Sequence, residues 1–206
     1  MAATVDAGLA WLDARDASRP FFLFLHTKSV HSKRAHGWAL DPALLAATDA
    51  PYDKPEPWRS RFLPAGRLLF PWHDSAQPEI TGPLYLDRLN ERLVAGSLGR
   101  SDLEPGRLDE LVALYDAGIA YTDAQFGRLV AGLAQRGLDR NTVVVLAADH
   151  GESFLEHRLF MHLELHPQTL HVPLVVVDPQ GPHGGVVQDE VGLLDLGGDL
   201  ERGVQA

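Results

Sequence analysis

The stretch that most restricts the fold is Thr142-Val-Val-Val-Leu-Ala-Ala-Asp149-His150-Gly151-Glu152. Val143 to Ala147 are five apolar residues without a polar break, and three of them are β-branched. Such a run predicts a strand buried on both faces, as in a parallel sheet. It ends at once in a carboxylate, an imidazole and a glycine. A strand of that kind delivers two metal-type ligands, Asp149 and His150, to the carboxyl edge, where open α/β sheets bind their ligands. Gly151 is expected to let the chain turn sharply behind them. An ordinary strand and polar turn can carry the same tripeptide. The sequel, Glu152-Ser-Phe-Leu-Glu-His157-Arg-Leu-Phe-Met-His162, is less ordinary, since it returns two more histidines within twelve residues of His150.

A second apolar run, Phe21-Phe-Leu-Phe-Leu25, is aromatic-rich and also reads as a strand. It too releases histidines, in His26-Thr-Lys28-Ser-Val-His31. The expectation is that 21–25 and 143–148 are parallel neighbours or near-neighbours, and that His31, Asp149, His150 and His162 converge on one pocket. His31 and His162 can donate hydrogen bonds to an anionic group. Mixed oxygen and imidazole donors such as Asp149 and His150 suit hard and borderline divalent ions. His36, His73, His166, His171 and His183 are read as surface or packing residues.

Around these runs, residues 4–15 predict an amphipathic helix with Val5, Leu9 and Leu12 on one face. Residues 32–106 read as an irregular insertion that holds most of the prolines. It is too rich in Trp58, Phe62, Phe70 and Trp72 to be disordered, and short helices are expected at Asp41-Pro42 and over 83–94. The segment 107–136 predicts the longest helix, from apolar residues at 3.6-residue spacing that include Leu108, Leu111, Val112, Tyr115, Ile119, Val130 and Leu133. Asp109 and Glu110 suit its positive end and Gly137 its C′ position. His171-Val-Pro-Leu-Val-Val-Val177 is a third strand candidate, whose proline belongs at a strand start or edge. The tail from 178 is glycine-rich, with a short helix start at Val191. Together these predict an α/β fold, a mostly parallel sheet flanked by helices, in one domain.

Composition narrows the function. The chain has 206 residues, 45% hydrophobic and 22% charged, as in globular proteins. A net charge of −10 argues against nucleic acid as a partner. Without cysteine there is no disulfide, thiolate metal site or cysteine nucleophile. No run reaches the roughly 20 apolar residues that span a bilayer. The amino terminus lacks a signal-peptide pattern, which makes a cytoplasmic location the default expectation.

Three stretches together resemble the type I sulfatase family of the alkaline phosphatase superfamily. Pro20-Phe-Phe-Leu-Phe-Leu-His-Thr-Lys-Ser-Val-His31 resembles the family's strand that ends in a substrate-binding histidine. Tyr115-Asp-Ala-Gly-Ile-Ala-Tyr-Thr-Asp123-Ala-Gln-Phe-Gly-Arg-Leu resembles the helix before the metal strand. Leu146-Ala-Ala-Asp149-His150-Gly-Glu, then Glu156-His157-Arg-Leu-Phe-Met-His162 and His171-Val-Pro-Leu-Val, resembles the metal strand, the second substrate loop and the following strand.

The resemblance implies metal-dependent hydrolysis of sulfate esters, on a small molecule or a glycan. It makes Asp149 and His150 ligands of a divalent ion (Ca²⁺, Mg²⁺ or Mn²⁺). It places His31 against the sulfate ester near the leaving oxygen and His162 against the sulfate oxygens. Relatives in the superfamily act on phosphodiesters and phosphonates, and a non-catalytic, anion-binding remnant of the same fold is the rival reading. The family's Cys-x-Pro-x-Arg or Ser-x-Pro-x-Arg, source of its formylglycine nucleophile, does not occur here. Nor does the first strand with two metal-binding aspartates. Ser32-Lys-Arg replaces the Pro-Tyr usual after the first histidine. The chain thus resembles the carboxyl-side portion of a sulfatase domain, truncated at both ends.

The expectation for the 206-residue chain assayed alone is no turnover of aryl sulfate or aryl phosphate with Ca²⁺, Mg²⁺ or Mn²⁺. The family pattern supplies two ligands here, against the roughly six a Ca²⁺-like ion takes, and no nucleophile to form a covalent intermediate. Turnover that disappears in Asp149→Ala would contradict it.

Overall fold

The computed structural model describes residues 1–31, 50–52, 54–77, 80, 82–99, 102–181 and 184–196. They fall into two compact units, Met1–Leu129 with Ser153–Met161, and Val130–Glu152 with His162–Ala206.

The first unit holds the helices α1 (Ala2–Ala14), α2 (Trp58–Phe62), α3 (Pro83–Val94) and most of α4 (Arg107–Gln135). The predicted helices over 4–15, 83–94 and 107–136 are therefore present. The expected start at Asp41-Pro42 lies outside the described residues. Pro83 opens α3 in its first turn, where the missing N–H costs nothing. On α3, Leu86, Leu89 and Leu93 recur at helical spacing and are buried. They meet Leu111 and Leu114 of α4 together with Tyr52, Leu63, Trp72, Leu155, Phe160 and Met161. Much of this core comes from described residues of the 32–106 segment, among them Tyr52, Leu63, Trp72 and Leu86.

Two polar groups are built into this core. Glu110 is fully buried and accepts from Leu69 N–H (2.6 Å) and Trp72 Nε1–H (2.8 Å). Its place in the first turn of α4 suits the helix dipole, but its main work is to satisfy two donors in the loop before α3. Asn90, 4% exposed, grips Phe160 twice. Its Nδ2 donates to the Phe160 carbonyl (3.1 Å), and its Oδ1 accepts the Phe160 N–H (2.8 Å). Phe160 lies in β3 (Phe160–Met161), which pairs antiparallel with β2 (Ser153–Phe154).

Residues 21–25 form no strand with any partner among the described residues. Phe22 (79%) and Phe24 (74%) are exposed, while Phe21, Leu23 and Leu25 are half-buried. Phe21 meets Trp11 edge-on (6.1 Å), and Leu25 fills the space above Gly8 of α1. The alternation is that of an extended chain laid on a helix. A parallel pairing of 21–25 with 143–148 is thus not what the described residues show.

In the second unit, β1 (Val144–Ala147) pairs antiparallel with β4 (Leu174–Val177), from Val144↔Val177 to Ala147↔Leu174. The expected parallel, doubly buried strand is corrected on both counts. Its described partner runs the other way, and β1 is half-buried, with Val143 and Ala147 exposed. An unbroken apolar run fits either pairing, so the residues could not have decided the direction. Pro173 precedes β4, and its carbonyl accepts Ala148 N–H (3.4 Å); lacking an N–H, it sits at the strand start, as expected. Gly137 (φ 65°) ends α4, with its N–H bonded to Ala134 and that of Leu138 to Leu133. Near Val191, residues 195 and 196 are helical and the remainder lies outside the described residues. The observed architecture is helices with small antiparallel sheets, an incomplete α/β arrangement. No helix among the described residues is long and apolar enough to cross a membrane.

Glu110→Ala is expected to lower unfolding stability by about 3 kcal/mol, because two buried donors lose their acceptor. Glu110→Gln, which keeps one oxygen, should lose less. Urea denaturation of the two variants checks this, and equal stabilities would refute it.

Candidate metal and anion site

The turn Asp149-His150-Gly151 follows β1 directly. Gly151 N–H donates to the Thr169 carbonyl (2.8 Å), and a Cβ at Gly151 would overlap the Gln168 carbonyl oxygen. Gly151 is not among the positive-φ glycines. Its role is therefore close backbone approach, and the sharp-turn expectation is replaced by that reason. The opposing backbone belongs to α5 (Pro167–Leu170), a single turn held from within. Thr169 is buried, and its hydroxyl accepts His166 N–H (3.2 Å) and donates to the Glu164 carbonyl (2.6 Å).

His150 is half-buried. Its Nδ1 lies 2.8 Å from the Gly151 carbonyl, which can only accept, so Nδ1 is the donor, and in the neutral imidazole Nε2 carries the lone pair. That Nε2 is 3.9 Å from Asp149 Oδ1. One ion at about 2.0–2.6 Å from each atom bridges such a gap. The donor set therefore fits a divalent cation, and the exposed Asp149 carboxylate leaves room for further oxygen ligands.

His162 belongs to the same unit and stacks on His150, with ring centroids 3.9 Å apart and planes at 27°. Its Nδ1 lies 3.3 Å from Glu152 Oε1, and the Glu152 side chain is only 3% exposed. The structure thus stacks His162 on His150, the neighbour of Asp149. It adds Glu152, which the sequence reading quoted without giving it a role. The available signal was a carboxylate directly after a ligand-bearing turn.

His31 belongs to the first unit. It is half-buried and follows a turn tied by Thr27 Oγ1, which accepts Ser29 N–H (3.2 Å) and lies 2.7 Å from Ser29 Oγ. His157 is exposed. His36 and His183 lie outside the described residues. The first unit also has a 390 Å³ cavity, lined by Phe62, Val112, Asp109, Asp116, Phe154 and Glu156 among others. None of the expected site residues lines it, so cavity size is a poor guide to the chemistry here.

Gly151→Ala is expected to cost about 3 kcal/mol, since backbone rather than a flexible side chain blocks the new methyl. Thermal and urea denaturation test this. A variant as stable as its parent would show that the 151–168 approach is not tight.

A profile of the sulfatase family matches residues 1–199. Among curated proteins, arylsulfatase K of Xenopus laevis is 25% identical over 200 residues, covering 93% of this chain and 34% of that protein. Arylsulfatase K of Homo sapiens is 37% identical over 84 residues, covering 41% of this chain and 16% of that protein, and the Canis lupus familiaris protein is 36% identical over the same length. The chain spans about a third or less of the length of these relatives. With a family match over nearly all its residues, the chain belongs to the sulfatase family, within the alkaline phosphatase superfamily.

Proposed function

We propose that this chain carries part of a metal-dependent site for sulfate-ester hydrolysis. The observation that carries the reading is the donor pair of the turn after β1. Asp149 Oδ1 and His150 Nε2 lie 3.9 Å apart, and the Gly151 carbonyl engages Nδ1, so that Nε2 would be the atom to ligate. Family membership supplies the reaction class, and the matched relatives carry the name arylsulfatase.

Asp149 and His150 would hold the cation. Bound there, a divalent ion supplies Lewis-acid polarisation of a sulfuryl oxygen. His162 would place its Nε2 edge against the sulfuryl oxygens, where charge develops. His31 would contact the ester near the leaving oxygen, as the family resemblance implies. Sulfate rather than phosphate is the preferred substrate group on the strength of the relatives' names, with small-molecule and glycan esters as the substrate class. The 206 residues contain no cysteine, so the formylglycine precursor of the cysteine type is not among them.

Titration calorimetry with Ca²⁺, Mg²⁺ and Mn²⁺, and separately with sulfate and phosphate, tests the assignment. Asp149→Asn and His150→Ala should each weaken cation binding about tenfold or more, as loss of one of few ligands does. His162→Ala should weaken sulfate binding while leaving the cation affinity within about threefold. Cation binding that survives both Asp149→Asn and His150→Ala would remove the metal assignment. Tighter binding of phosphate than sulfate would favour the phosphoester relatives.

A further inference from the structure

Glu152 is a buried carboxyl whose Oε1 lies 3.3 Å from His162 Nδ1, within the second unit. A carboxyl taken out of water needs a hydrogen-bond partner, and His162 provides one. The imidazole gains a fixed direction in return. Its plane is set by the stack on His150, at 3.9 Å and 27°. Stacking leaves the ring free to turn within that plane or to flip. A carboxylate can only accept from a ring nitrogen, so contact with Nδ1 removes that freedom and puts the proton on Nδ1. Plane and in-plane direction together leave Nε2 one place to point.

We infer that Glu152 is a positioning residue for His162, its buried carboxyl anchoring Nδ1 so that Nε2 is the edge presented to an anion. The inference rests on the reading of His162 as an anion contact. Glu152 touches neither substrate nor cation. It acts through the imidazole, as residues behind a ligating or contacting histidine commonly do. An anion contact held this way needs no reorientation when the anion arrives.

Long-range ¹H–¹⁵N spectra of the 206-residue chain read the His162 ring directly. The expected result is a protonated Nδ1 in the unaltered chain and in Glu152→Gln, whose amide oxygen still accepts. Glu152→Ala should lose that preference and bind sulfate about tenfold more weakly, whereas Glu152→Gln should stay within about threefold of the parent. An unprotonated Nδ1 in the unaltered chain overturns the inference, and this holds even if Glu152→Ala fails to fold. So does a Glu152→Gln variant as impaired as Glu152→Ala, which would mean that the negative charge rather than the hydrogen bond matters. Absence of sulfate binding in the unaltered chain counts against the anion role of His162. The ring spectra then decide the anchoring by Glu152 independently.

Discussion

Backbone meets backbone at Gly151. Its N–H reaches the Thr169 carbonyl, and the Gln168 carbonyl oxygen occupies the volume that any side chain would need. Everything at the candidate site hangs from that contact. It fixes the path of the chain between β1 and Glu152, and so the spacing of Asp149, His150 and Glu152. It also provides a carbonyl, that of Gly151 itself, which orients the His150 ring. The opposing turn is held by the Thr169 hydroxyl. A single small residue thus joins strand, ligand turn and short helix into one arrangement.

The two histidines of the site are anchored in different ways. His150 is tied to the carbonyl of the next residue, so its orientation is a local property of the turn. His162 is tied to a buried carboxyl ten residues away in sequence, so its orientation depends on tertiary structure. Local anchors survive partial loosening of a fold better than distant ones. The His150 anchor is therefore the sturdier of the two. The His162 anchor is the one that depends on the surrounding structure staying folded.

Much of this was legible in the sequence. Helices α1, α3 and α4 announced themselves by apolar spacing, by Pro83 in a first turn and by Gly137 at a C′ position. Of the residues read as metal ligands and anion contacts, His162 stacks on His150, which adjoins Asp149. What was not legible depends on partners distant in sequence. The direction of pairing of β1 is set by which strand lies beside it, and Val143–Ala147 reads the same either way. Phe21–Leu25 has a strand's composition but lies along α1 instead. Ile119 and Val130 keep the helical spacing and still stand exposed, while Leu114 and Ala117, outside the predicted set, are buried alongside Leu111 and Leu133. The Glu110 carboxyl looked like a dipole partner, and only the fold reveals the two donors it serves. Gly151 was recognised as necessary for one reason and is necessary for another.

The grip of Asn90 on Phe160 restricts that position chemically. A peptide unit asks for an acceptor and a donor side by side, and a primary amide on a short stem supplies both. Hydrolysis of that amide to a carboxylate, the usual ageing reaction of asparagine, would turn the donor into a second acceptor. An oxygen would then face the Phe160 carbonyl inside the core, and only the protonated acid could restore the lost donor. The hairpin β2–β3 leads straight into His162 in the sequence. Spontaneous deamidation on α3 would therefore loosen the hairpin within the first unit without altering any candidate site residue.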